Sequence, residues 1–127
     1  MTYTPDEKTR MDTIFTAFQD YISPHQNFDI LYLQKRGYIH LTLEKEFVEA
    51  DDIVDADHLF RLLMMEILND VQDLHMCGEH FSGEIFPCEI DEALRRANEY
   101  IERLPADLRD YYSTALQVCF KNPILEE

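Results

Sequence analysis

The chain has 127 residues, with 26 Asp or Glu against 11 Lys or Arg, for a formal net charge of −15. Apolar residues make up 46%, enough for a packed core, which excludes a disordered acidic tail; 3 Gly and 5 Pro exclude collagen-like and Pro-rich chains. No apolar run approaches the roughly 18 residues of a membrane span, and the length fits one domain over residues 1–127.

Thr4-Pro5-Asp6-Glu7 opens a helix. Thr4 suits the cap, Pro5 the first helical position, and Glu7 completes a capping box. Met11, Ile14, Phe15, Phe18, Tyr21 and Ile22 form its apolar stripe, and Ser23-Pro24 ends it. Phe28–Gln34 and Tyr38–Leu43 are β-rich runs joined by Lys35-Arg36-Gly37, a hairpin signal. Pairing Gln34 with Tyr38 puts Leu31, Leu33, Ile39, Leu41 and Leu43 on a core face. Ile30, Tyr32, Tyr38, His40 and Thr42 then form an exposed, aromatic face. A third strand is expected from Glu84–Cys88, since a lone hairpin is marginal.

Residues 44–57 hold seven acids and one base and read as a loop or short helix leading into the next helix, capped by Asp55 or Asp57. That helix, about 56–74, is apolar on most sides through Leu59, Phe60, Leu62, Leu63, Met64, Met65, Ile67, Leu68, Val71 and Leu74, as a central helix would be. Residues 75–89 are irregular. A helix over about 90–103 buries Ala93, Leu94, Ala97, Ile101 and Leu104 and carries Glu92–Arg96 and Glu99–Arg103 pairs. A last helix over about 105–121 turns Leu108, Tyr111, Tyr112, Ala115, Leu116 and Cys119 inward. The expected fold is α+β: an N-terminal helix, a β-hairpin with a third strand, then three helices packed on one face of the small antiparallel sheet.

The N-terminal residues lack a basic start followed by an apolar stretch, so no secretory signal is read there. With Cys77, Cys88 and Cys119 an odd number of thiols, a reduced, cytoplasmic protein is expected. His75, Cys77, His80 and Cys88 could ligate zinc, but their H-x-C-x-x-H-x7-C spacing matches no usual finger. Cys77 or Cys88 beside His80 could make a nucleophilic pair, which the neighbouring Glu79, Glu84 and Glu89 oppose by disfavouring thiolate. Asp51, Asp52, Asp55 and Asp57 lack the glycine of an EF-hand loop. No dinucleotide, P-loop, zincin or nucleophile-elbow motif occurs. No metal, cofactor or catalytic residue is therefore assigned.

Charge is the sharpest signal. Residues 1–43 carry five acids and four bases, residues 44–73 ten and two, and residues 74–127 eleven and five. Such a chain repels nucleic acid and anionic membranes and attracts basic protein surfaces. A row of carboxylates can stand in for phosphates before the Arg and Lys of a nucleic-acid-binding protein. Glu44, Glu46, Glu49, Asp51, Asp52, Asp55 and Asp57 are the candidate contact residues, with Tyr32, Tyr38 and His40 as aromatic anchors. In size, charge and α+β layout the chain resembles the small acidic anti-CRISPR and anti-restriction proteins of phages and mobile elements. That resemblance implies a non-catalytic inhibitor. Two alternatives stand beside it: a metal- or thiol-dependent domain built on His75, Cys77, His80 and Cys88, or a housekeeping interaction subunit, including a homodimer whose seam avoids 44–57.

Overall fold

The first helix begins as the sequence dictates. The Thr4 side-chain oxygen accepts the Glu7 N–H at 3.1 Å, and Pro5 stands where its missing N–H costs nothing. The computed structural model describes residues 3–43, 48–76 and 87–121, and the side chains of 3–43, 49–71 and 90–116. The elements in chain order are α1 (Pro5–Ala17), α2 (Gln19–Ile22), β1 (Phe28–Leu33), β2 (Gly37–Leu43), β3 (Val48–Asp52), α3 (Ala56–Met76), α4 (Pro87–Ile101) and α5 (Ala106–Lys121). The fold is mixed α+β, with an N-terminal helix, a three-stranded antiparallel sheet and then helices. The chain forms two compact units, Met1–Phe60 and Arg61–Glu127.

In the first unit, Met11, Ile14, Ala17 and Phe18 are buried along α1. The expected single helix to Ser23 is interrupted at Phe18 (φ −99, ψ 9) and resumes as the one turn α2. Nothing in the local sequence marks this break. The Gln19 side-chain amide donates to the Phe15 carbonyl at 3.4 Å, so the interruption does not strand that acceptor.

The sheet order is β1-β2-β3. Tyr32 pairs with Tyr38 and Leu33 with Gly37, so the hairpin closes two residues earlier on β1 than the expected Gln34–Tyr38 pairing. The reason lies at Gly37. Its φ of +95 turns the chain tightly back toward Leu33, and the Tyr3 hydroxyl occupies the space of a Cβ there, 2.7 Å away. A shift of two keeps the same residues together on each face, but the buried face is the opposite of the expected one. Phe28, Ile30, Tyr38 and His40 are buried, whereas Leu31 and Leu33 are about two-fifths exposed at 39% and 42%. The larger aromatic set wins because it buries more area and its polar tips find partners. The Tyr38 hydroxyl donates to Asp12 at 2.6 Å, Phe15 meets Tyr38 at 5.3 Å, and Phe28 stacks on His40 at 5.7 Å. Ile39, on the other face, is buried all the same.

The third strand is Val48–Asp52, antiparallel to β2. Residues 44–57 are thus not a loop or short helix throughout; of the strand expected from Glu84–Cys88, Pro87 and Cys88 belong instead to α4, and 84–86 lie outside the described residues. An edge strand is wetted along its free side, so it tolerates the carboxylates that hide its period. Beyond β3, Ile53 is fully buried and its N–H donates to the Tyr38 carbonyl at 3.0 Å. Asp55, one of the two expected caps, starts α3 by accepting the His58 N–H at 2.7 Å, while His58 Nδ1 accepts the Val54 N–H at 3.0 Å. Glu7 does not close its own capping box: its carboxylate accepts the Ala56 N–H at 2.5 Å and so ties α1 to the start of α3.

In the second unit, α3 buries Leu63, Met64, Ile67, Leu68 and Val71, with Met65 exposed. A short connection makes α4 and α5 packed neighbours. Ala93, Ala97, Ile101, Leu104, Tyr112 and Leu116 are buried as the spacing predicts. Tyr111, expected inward, is exposed and meets Tyr112 edge-on at 4.8 Å; one helix position from Tyr112, it turns about 100° away from the buried stripe. Glu92 bonds Arg95 at 2.5 Å and Arg96 at 2.8 Å, and these two guanidinium groups hold its carboxyl down at about 2.

Candidate functional site

The acidic segment becomes an exposed sheet edge. In β3, Glu49 lies opposite Thr42, Ala50 opposite Leu41, Asp51 opposite His40 and Asp52 opposite Ile39. Residues 49–52 are all exposed. Because side chains alternate, Glu49 and Asp51 stand about 6.6 Å apart on the face shared with Tyr38 and His40, and Asp52 stands on the other. The seven candidate carboxylates therefore do not share one face.

Their electrostatic states differ as well. Asp52 is bonded by Arg36 at 2.6 Å, so its charge is locally compensated. Asp55 is engaged in capping, and Asp57 lies half-buried in the first turn of α3. Glu49 and Asp51 have no cationic partner among the described residues. Glu44 and Glu46 lie outside the described residues.

The three aromatic candidates also separate. Tyr38 and His40 are buried, so the expected exposed aromatic face is corrected, and only Tyr32 is open, at 41%. Tyr38 belongs instead to a cluster that the sequence reading missed. Lys8 Nζ bonds both Asp12 oxygens, at 2.9 and 2.8 Å, and lies 4.3 Å above the Tyr32 ring. Burial first, and then the Asp12 carboxylate, push the Tyr38 hydroxyl well above its ordinary value. The bond to Asp12 likewise raises Lys8. The i,i+4 spacing of Lys8 and Asp12 was the available signal. A second missed residue is Tyr3, whose hydroxyl donates to the Ile53 carbonyl at 2.6 Å and accepts the Tyr38 N–H at 3.0 Å. This is an anchor for the sheet rather than a reactive group.

The alternative metal or thiol site cannot be built from the described residues: Cys77 and His80 lie outside them, as do the side chains of His75 and Cys88. Among the described residues no group of three or more His, Cys, Asp or Glu is placed to hold a metal ion, and no helix is long and apolar enough to cross a membrane. Chemically, the β3 edge offers carboxylate acceptors and a field for cations. No protein family model, curated protein or solved structure matches this chain.

Proposed function

We propose that the chain is a non-catalytic acidic module that binds a basic surface on another protein through the β3 edge. The observation that carries this reading is the exposure of Glu49 and Asp51, without a local cation among the described residues, in a chain of net charge −15. Long-range attraction from the whole chain would speed encounter, and these two carboxylates would fix orientation on contact. Carboxylates on both faces of one strand suit Lys and Arg side chains that straddle the edge. They suit a single flat phosphate-like row less well. The finer reading, an inhibitor that replaces nucleic acid on a nucleic-acid-binding protein, draws its support from the net charge and the clustering of acids in residues 44–73.

The test is a titration with an Arg-rich peptide at low and high salt, using the native chain and the Glu49→Lys/Asp51→Lys variant. Binding by the native chain should weaken with salt, and the variant should lose at least about tenfold in affinity and much of that salt dependence. Equal binding by a folded variant would remove the β3 edge from the function. Cys77→Ala/His80→Ala should bind as the native chain does; loss of binding there would favour the alternative centred on residues 75–88.

A further inference from the structure

The free edge of β3 offers main-chain groups as well as carboxylates. Ile53, one residue beyond the Asp52–Ile39 pair, donates its N–H to the Tyr38 carbonyl at 3.0 Å. Backbone direction alternates along a strand, so Asp51 and Glu49 also turn their N–H and C=O groups toward β2. Ala50 and Asp52 therefore turn theirs outward, away from the sheet. Among the described residues no hydrogen bond engages these outward main-chain groups, and both residues are exposed. The edge is thus open to a further strand, and charge decides which strand can come. A second copy of β3 would set carboxylate against carboxylate. A neutral strand would dehydrate Glu49 and Asp51 and return nothing. A strand that carries cations is complementary to both.

We infer that this edge takes an extended basic segment of the partner protein as a fourth strand, antiparallel to β3, with Lys or Arg at every second position. It rests on the basic-partner reading and adds the conformation of what binds. The main chain of the segment exchanges hydrogen bonds with Ala50 and Asp52, whose outward groups supply the ladder. Glu49 and Asp51 then occupy the non-hydrogen-bonded positions of the new pair, where opposed Cα atoms are only about 4.5 Å apart and side chains approach closest. Cations opposite those two residues lie on one face, at the two-residue spacing of a strand. The position between them faces Ala50, a small uncharged side chain, so an uncharged residue fits there. Asp52, on the other face, already holds Arg36 at 2.6 Å and asks for no further base. The partner signature is therefore base, uncharged residue, base in an extended segment. A helix, or a block of adjacent bases, cannot meet both the carboxylates and the main chain.

The probe is a short peptide of alternating Lys and Thr, titrated into the native chain at low salt. N-methylated forms of equal charge isolate the main-chain contribution, since a methyl group on a backbone nitrogen removes its donor and blocks pairing on that side. In the docked register the Thr N–H groups point at β3 and the Lys N–H groups point to solvent. Methylation at Thr should therefore cost at least about tenfold in affinity, whereas methylation at Lys should change it by less than about twofold. In hydrogen exchange, the Ala50 and Asp52 amides should become protected on binding, while those of Glu49 and Asp51, already turned to β2, should change little. Equal binding by the two methylated forms, with Ala50 and Asp52 unprotected, overturns the inference and leaves the basic-partner reading standing. So does failure of the alternating peptide where the Arg-rich peptide binds; failure of both peptides overturns that reading as well. Protection of Ala50 and Asp52 that grows with chain concentration in the absence of peptide also overturns it, because a second copy then holds the edge.

Discussion

The two edges of this sheet show how one small fold can hold different surfaces apart. On β3, Glu49, Asp51 and Asp52 are exposed, and charge protects the strand from pairing with a copy of itself. On β1, Leu31, Tyr32 and Leu33 are exposed and bring no charge to the strand. Between them runs β2, whose Tyr38 and His40 are buried on the face that carries α1's contacts. The lesson is that the strands are alike in backbone geometry and differ in what their free edges invite. One free edge presents carboxylates and the other presents apolar side chains.

The harshest way to break this contrast is to remove its foundation on the β1 side. Phe28 is buried and meets Tyr21, His25 and His40 at ring distances of 5.8, 4.5 and 5.7 Å. Phe28→Ala should cost about 3–5 kcal/mol in denaturant unfolding, whereas Asp51→Ala on β3 should stay within about 0.5 kcal/mol. Similar costs would mean that β1 is not the better-rooted edge.

A milder change should act on the other side. Tyr3→Phe takes away the partner of both the Ile53 carbonyl and the Tyr38 N–H, at a cost of about 1–3 kcal/mol. Amide exchange should quicken at Tyr38 and Ile53 and stay unchanged in the outer half of β1. The same tyrosines set a pH limit. Burial raises the Tyr3 hydroxyl and, with Asp12, the Tyr38 hydroxyl above the ordinary 10.0. Their contribution is therefore complete below pH 10.0. It is lost as pH rises beyond that value, because the unfolded chain releases these protons first. Native stability should fall in alkaline titration, and the fall should be shallower in Tyr3→Phe.

The smallest effect belongs to the ion pair that spans from the hairpin turn to β3. Arg36 and Asp52 are each 45% exposed along the side chain, so Arg36→Gln should change stability by less than about 1 kcal/mol. Its more useful outcome is electrostatic: with Asp52 uncovered, Arg-rich peptide binding should strengthen slightly. Weaker binding would place the favourable contact at Arg36 itself.

Much of the fold was legible because it rests on local rules. Thr4 and Pro5 mark the start of α1, Gly37 marks the hairpin, and Leu104-Pro105 separates the last two helices. The strand face was not legible, since Leu31 and Leu33 alternate as regularly as Ile30 and Tyr32. Only α1, arriving with Asp12 and Phe15, decides which set is covered. The third strand was hidden for a related reason: Glu49-Ala50-Asp51-Asp52 has no apolar period, and only pairing with β2 makes it a strand. The candidate site was legible as charge and not as geometry. Sequence composition drew Glu49, Asp51, Asp52, Asp55 and Asp57 into one group; cross-strand pairing, capping and the Arg36 bond then gave them separate tasks.

The close approach of Tyr3 to Gly37 binds the evolution of two distant positions together. The phenol oxygen fills the volume that a methyl group at residue 37 would claim, so a lone alanine there meets both a left-handed backbone and an occupied space. Homologous chains should therefore keep the tyrosine–glycine couple or lose both members at once, and any side chain accepted at position 37 should arrive with a smaller residue at position 3.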